Sequence, residues 1–428
     1  GTGCASTTLN SPSSATGMVW GNQAVDTTGQ ILLLTSQPPN TLSIATNSRG
    51  IPAVAYVDFS AGATTTGRLK YAQRAGLSAY DQWPSYDIAS ATSPQSVALA
   101  FDHLNRPWIA YYDASSLRYY LTTNYLPDGS GLWITYQFPI ATATLPTLPA
   151  ANNVMITMAY SGTEAKPLML VTNSGAATKV LQASLFNPST ENWTLNKTVD
   201  TGVANFSHVS SDFDKSGNVV VAYYDMTNFD IKYTHTTDGG TTWATPAAVV
   251  PIPGGSSTGH SLRLNPSTSK PAIAYFDRAN NQVKYKYCST AVSSCASLAN
   301  WSTVDPEGSG LVDSVLAGVS TMVAATDGIL NVALTFTSTG LPWVVYPTGA
   351  AASGNLLFSS VSSTTGLFTS SSILSAGATA NVVTPIVSTP LNFAIGGWMP
   401  ASVRTPLGSL HTAYVGPGNH LYVTSCGD

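Results

Sequence analysis

Apolar and aromatic runs in this chain return to one phrase and stop each time at an aspartate. IAYYDASSLRYY begins at Ile109, VAYYDMTNFDIKYT at Val221 and IAYFDRANNQVKYK at Ile273. Each reads as a strand, a short polar turn and a second strand. A further strand and turn precede each phrase: SVALAFDHLNRP from Ser96, HVSSDFDKSGN from His208 and SLRLNPSTSKP from Ser261. A tryptophan follows at varying distance, namely Trp133, Trp243 or Trp301. The pattern is therefore a unit of four short strands separated by turn residues.

Seven such units are readable, with first strands beginning near Ser43, Ser96, Met155, His208, Ser261, Val332 and Ser402. The last unit runs out after three strands. Its missing fourth strand matches the other end of the chain, where WGNQAVD (Trp20–Asp26) is similar to WTLNKTVD (Trp193–Asp200). Repeats of this length, closed by a displaced strand, predict an all-β fold. The expected architecture is a seven-bladed β-propeller of four-stranded blades, one domain over residues 1–428, with the strand near 20–26 completing the last blade. Such closure removes the free sheet edges on which strands aggregate. Six or eight blades follow instead if the weak third, sixth or N-terminal units are misassigned.

Composition agrees with strands. Only 9% of the 428 residues are charged, and the glutamates are three: Glu164, Glu191 and Glu307. Exposed helix faces want more Glu, Lys and Arg than that. The net charge of -4 carries no basic block for nucleic acid. Polar residues break every long apolar stretch, so no membrane-spanning helix is expected. No signal peptide is legible. Four cysteines in a charge-poor, Ser/Thr-rich chain point to an oxidising compartment, hence a secreted, periplasmic or cell-surface protein. Position suggests the pairs Cys4–Cys426, fastening the closure, and Cys288–Cys295, flanking CSTAVSSC. The alternative makes Cys4 a lipid-carrying residue, since TGC is similar to the end of a lipobox.

The aspartates closing the second strands, Asp58, Asp113, Asp225 and Asp277, travel with bases in the third strands, Lys70, Arg118, Lys232 and Lys284. In the last two units Asp is replaced by Thr348 or Gly416, and Leu357 or Tyr422 stands where the base was. Joint loss within one chain predicts contact across each hairpin, as structural ion pairs.

TTDGGTTW (Thr236–Trp243) fits the pattern S/T-x-D-x-G-x-T-W, with Asp238, Gly240, Thr242 and Trp243 at its marked positions. On this motif, and on the looser repeat around it, the chain resembles the BNR/Asp-box, sialidase-like superfamily of secreted bacterial β-propellers. The resemblance implies a turn-building role for the motif, on the face opposite any catalytic site. A sialidase-like site would need an arginine cluster, an acid/base aspartate and a tyrosine activated by glutamate. The Arg-Ile-Pro signature is absent, because RGIP at Arg49–Pro52 occupies the ordinary turn column.

Candidate ligand residues are Arg263 and Arg404, placed near first-strand starts, with Arg278, His260, Glu307 and Trp398. Forked guanidinium donors and an aromatic platform suit sugars and acidic ligands. Three long connections, 26–42, 305–330 and 370–399, should project on that same face. No catalytic residue is assigned. No metal or other cofactor is implied, and DFDKSGN (Asp212–Asn218) reads as a turn rather than a calcium loop. Scarce carboxylates favour a secreted or surface recognition module for glycan or protein. The alternatives are a sialidase-like glycoside hydrolase and a structural part of a surface assembly.

Overall fold

A computed structural model describes residues 21–28, 41–59, 67–78, 81–88, 93–139, 154–173, 179–202, 206–225, 227–251, 259–277, 282–302, 311–313, 332–337, 339–348, 355–360, 401–406, 408–415 and 420–426. Within them the chain is all-β, apart from two three-residue turns of 3-10 helix at Val292–Ser294 and Leu298–Asn300.

Six four-stranded antiparallel sheets and one three-stranded sheet follow one another along the chain. The first holds Leu42–Thr46, Pro52–Asp58, Arg68–Gln73 and Ser85–Ile88. The second holds Pro94–Phe101, Pro107–Asp113, Arg118–Asn124 and Trp133–Gln137. The third runs Val154–Ser161, Glu164–Asn173, Lys179–Asn187 and Asn192–Gly202. The fourth runs Phe206–Phe213, Val219–Asp225, Asp230–Thr236 and Ala247–Pro251. The fifth comprises His260–Leu264, Pro271–Asp277, Gln282–Tyr287 and Leu311–Asp313. Ala333–Phe336, Pro342–Thr348 and Asn355–Ser360 form the three-stranded sheet. The closing sheet takes Ala401–Arg404, Leu410–Val415 and Leu421–Cys426 from one end of the chain and Gly21–Asp26 from the other.

The six four-stranded sheets are the blades of a propeller. The first strand of each sheet, the three-stranded one included, touches the first strand of the next, and the closing sheet's first strand touches that of the first sheet. Second strands are buried along their whole length, as in Pro52–Asp58, Pro107–Asp113 and Val219–Asp225. A strand sandwiched on both faces reads as a continuous apolar run, which is why IAYYD and VAYYD do not alternate.

The turns between first and second strands share one device. The side chains of Asn47, Asp102, Asp214 and Asn265 each accept a backbone N–H two residues ahead, and Thr337 and Thr405 one four residues ahead. Asp214 also holds Asn218 through N–H and side chain, so DFDKSGN is indeed a turn. Gly217 at φ 89° supplies the left-handed residue, and Asn105 does so at 62°. In TTDGGTTW, Asp238 accepts the Thr242 N–H at 2.9 Å and its hydroxyl at 2.6 Å, while the Trp243 indole donates to Gly240 O. Asp238→Ala should cost about 1–2 kcal/mol by freeing this hairpin, read as a shift in the urea midpoint.

Ion pairs form across the predicted hairpins. Lys70 meets Asp58 at 2.8 Å, Lys232 meets Asp225 at 2.9 Å and Lys284 meets Asp277 at 2.5 Å. The second sheet differs. There Tyr120 occupies the lysine's register, opposite Tyr111, and the two rings stack at 5.3 Å. Arg118 lies two pairs further along, directly opposite Asp113, whose carboxylate caps Ser93 and Ser115. The closing sheet repeats the stack with Tyr414 and Tyr422.

Cys288 and Cys295 are joined, as expected, beneath the buried Trp301. Trp301 bridges back to Cys288 rather than opening the fourth strand; that strand is Leu311–Asp313, inside the segment read as a connection. A Cys288→Ser, Cys295→Ser double variant should lose about 2–3 kcal/mol, checked by denaturation with and without reductant. Cys4 lies outside the described residues. No helix among them is long and apolar enough to cross a membrane.

Candidate functional site

The ring of first strands encloses an axial cavity of about 320 Å³. Strand register defines its columns. The residue opposite the inner tyrosine of the second strand is Leu42, Val97, Val209 or His260, and Val154 stands opposite Val171. An apolar column thus becomes polar at His260. Three positions further along, Ala45 and Ala100 give way to Thr157, Asp212 and Arg263. One wall of the cavity, from the first, second, three-stranded and closing sheets, includes Ile44, Val97, Leu99, Val332 and Val403. The opposite wall, from the fourth and fifth sheets, carries His208, Ser210, Ser211, Asp212, His260 and Arg263.

The polar wall is stitched along its free strand edges. Ser210 Oγ accepts Leu262 N–H at 2.8 Å, and Asp212 Oδ2 accepts Leu264 N–H at 2.7 Å. Ser43 and Ser96 do the same for Leu99 and Val154 at other interfaces. The Arg263 guanidinium donates through Nη1 to the carbonyls of Ser211 and Leu262. His208 Nε2 approaches His260 O at 2.5 Å, and the two rings meet edge to face at 4.6 Å. His208 reaches there from a bulge between Ser207 and Val209, with φ at 50°. A non-glycine residue held so costs energy that the surroundings must offset.

Burial sets the electrostatics. His208 is 3% exposed, and burial pushes its imidazole down to about 4, the contact with His260 O only partly opposing this. Burial likewise lifts the Asp212 carboxyl, against the pull of Arg263.

The structure revises part of the sequence-derived site. His260 does open its strand, but Arg263 is the fourth residue of His260–Leu264 and Arg404 the last of Ala401–Arg404. They are not equivalent either. Ala401 faces Ala413 as Ser261 faces Ala274, so Arg404 matches Leu264, one residue beyond Arg263. A one-residue offset in a strand turns the side chain to the other face. Arg278, Glu307 and Trp398 lie outside the described residues. The sequence reading passed over His208, Ser211 and Asp212; the signal was HVSSD, which puts four polar residues into a first strand.

A second cluster recurs between blades. Asp26, ending the closing strand, accepts the Tyr56 hydroxyl at 2.7 Å and Lys70 at 3.0 Å from the first sheet. Asp200, near the end of the third sheet's last strand, accepts Tyr223 and, at 3.5 Å, Lys232 from the fourth. Burial disfavours the charge on both lysines, but their paired carboxylates outweigh it and hold them above the usual range.

Comparison of the coordinates with solved structures returns carbohydrate-related proteins. The NanB sialidase from Streptococcus pneumoniae aligns at TM-score 0.47 and 9% identity, over 94% of this chain and 70% of that one. An α-L-arabinanase from Penicillium chrysogenum gives 0.46 and 10%, over 78% and 93%. A mutant of the Aleuria aurantia lectin, complexed with α-methyl-L-fucoside, gives 0.44 and 13%, over 83% and 98%. At these scores and identities no ligand and no residue role is transferred. No protein-family model and no curated sequence matches the chain.

Proposed function

We propose that this propeller is a secreted or cell-surface, non-catalytic recognition module, binding glycan or protein on the face where the first strands begin. The observation that supports this most is how the carboxylates at that end are engaged, Asp230 excepted, which burial and Asp225 lift and whose Oδ1 makes no hydrogen bond. Asp26, Asp58, Asp200, Asp225 and Asp277 are bound to lysines or tyrosines, and Asp113 to turn N–H groups. Asp225, despite burial, is pushed below the usual range by Lys232, Asn228 and Thr227. A general acid needs the opposite shift. The second reading is a glycoside hydrolase whose acid comes from a connection on that face, with Glu307 the glutamate nearest in sequence.

Arg278, Glu307 and Trp398 remain the proposed contacts there, beside His260, with Arg263 and Arg404 assigned to the cavity wall and the far rim. The three-stranded sheet is read as a seventh blade, because its first strand bridges those of the fifth and closing sheets. Cys4–Cys426 is the proposed clasp of the closure. A glycan array run beside a fluorogenic glycosidase panel tests the function. Binding without turnover is expected, weakened about tenfold by Trp398→Ala and unchanged by Arg404→Ala. Turnover of any panel substrate would replace this reading with the second.

A further inference from the structure

Exposed apolar side chains are not spread evenly over the molecule. Of the seven large ones among the described residues, four belong to one end of the second sheet: Leu104, Tyr125, Leu126 and Leu132. Leu104 lies in the turn between the first and second strands, and the others in the hairpin between the third and fourth. Both turns lie on the face opposite that proposed for recognition. The first three are about half exposed and Leu132 is 81% exposed. Scattered single residues need no explanation, whereas a concentration of this kind marks a contact surface.

Both turns are fixed in place. Asn105 Oδ1 accepts Ser48 N–H from the first sheet's turn at 2.7 Å, and His103 Nδ1 accepts Ala165 N–H from the third sheet at 3.1 Å. In the hairpin, buried Asn124 donates to the carbonyls of Gly129 and Gly131 and accepts Leu126 N–H. A Cβ on Gly131 would come within 3.2 Å of the Leu126 side chain, so Leu126 folds back beside Leu132. Arg106 sits over the Tyr125 ring at 5.6 Å, and the Tyr125 hydroxyl donates to Glu191 at 3.3 Å. Glu191 reaches it from a left-handed backbone at φ 54°, which costs energy in a non-glycine residue. Apolar groups ordered in advance lose little entropy when a partner covers them.

The charges around the leucines select the occupant. On the first sheet's side stands exposed Arg49, next to the Ser48 that binds Asn105. On the third sheet's side stands exposed Glu191. Neither makes an ion pair among the described residues. A second set is placed the other way round. Asp128 lies toward the first sheet, where Pro127 O accepts the Tyr71 hydroxyl, and Lys166 belongs to the third, held by Glu164 at 3.4 Å. A rim of one sign would call for a partner of the opposite sign. This rim carries both signs on both flanks, in reversed order, so it complements itself when turned over about a two-fold axis.

We propose that this patch is the interface of a two-fold dimer of this chain, with the leucines at its centre. The axis runs across the second sheet's turns, so the first-sheet flank of one copy meets the third-sheet flank of the other. Arg49 then faces the partner's Glu191, and Asp128 faces the partner's Lys166. The two copies stand back to back. The face proposed for recognition stays open on both, and the two such faces point apart.

Sedimentation velocity of the intact protein from about 1 to 200 µM reads the assembly. A dimer is expected to form within that range. Leu132→Asp should abolish it, whereas Leu298→Asp, at an exposed leucine beyond the fifth sheet's disulfide, should leave it unchanged. Both variants should keep the wild-type circular dichroism, and should Leu132→Asp misfold, Leu104→Asp takes its place. Arg49→Glu and Glu191→Lys should each weaken association about tenfold, because each sets like charges together on both flanks. An equimolar mixture of these two variants should associate like the wild type, since opposite charges meet again. A monomer throughout the range overturns the proposal and leaves the patch to a partner of other chemistry. So does a dimer unchanged in folded Leu132→Asp or its replacement. A mixture that associates no better than either variant alone overturns the two-fold arrangement.

Discussion

Asp26→Ala should weaken the closure of the ring by about 2–3 kcal/mol. Asp26 serves two functions at once. Its strand pairs with Leu421–Cys426, and its carboxylate reaches across to Tyr56 and Lys70 of the first sheet. Gln23 adds a second crossing, accepting the Trp83 indole N–H at 2.9 Å. Losing one partner of a buried pair normally costs more than losing both, because the remaining charge is stranded. Here Lys70 keeps Asp58 at 2.8 Å, which holds the loss toward the lower end. Asp26→Asn should fall between, since the amide oxygen still accepts from Tyr56. The informative control is Asp200→Ala. It removes the same tyrosine and lysine contacts, but from a strand joined to the next sheet by three intervening residues, 203–205. Both variants should lower the urea midpoint, and Asp26→Ala alone should speed proteolysis of the terminal strands. Equal proteolysis of the two would show that this contact does not guard the closure.

How much of this was legible beforehand depended on whether register mattered. The repeat, the closing strand and the turn residues are local signals, and the structure follows them at Asp102, Asp214 and Asp238. The link between Asp58 and Lys70 was also readable, because Asp and Lys disappear together from later units. The inter-blade partners were not read from it. AVD and TVD stood out as similar, but nothing local tells which neighbouring blade their aspartates touch. The site suffered most. His208 sits in a bulge, and a bulge adds a residue that pattern alignment cannot assign to a face. Arg263 and Arg404 look equivalent by eye and differ by one residue in pairing. Polar substitutions in an apolar column are visible only once the columns are known. HVSSD therefore read as an ordinary strand start, although it carries the stitches and an unsatisfied imidazole nitrogen.

The protein should lose stability as pH falls from about 6.5 toward 4, with His208 responsible for most of the change. In the unfolded chain an imidazole titrates near its ordinary value, about 6.5. In the fold, burial holds His208 down to about 4. Between those values the unfolded state binds a proton that the native state refuses, so stability rises with pH across the window and is flat above it. The full difference amounts to about 3 kcal/mol. His235 is lowered by burial as well and adds in the same direction. Asp225, held low, acts only below the ordinary carboxylate range, and Lys70 and Lys232, held high, act only in strong alkali. Asp212 is raised by burial and acts in the opposite sense near the acid end, where it offsets part of the loss. Urea midpoints at pH 4.5, 5.5, 6.5 and 7.5 measure the slope. His208→Gln keeps a side-chain donor for His260 O but cannot titrate, so it should flatten the profile while costing some stability at neutral pH. An unchanged slope in His208→Gln would assign the acid sensitivity to other groups and leave the buried imidazole without influence on the fold.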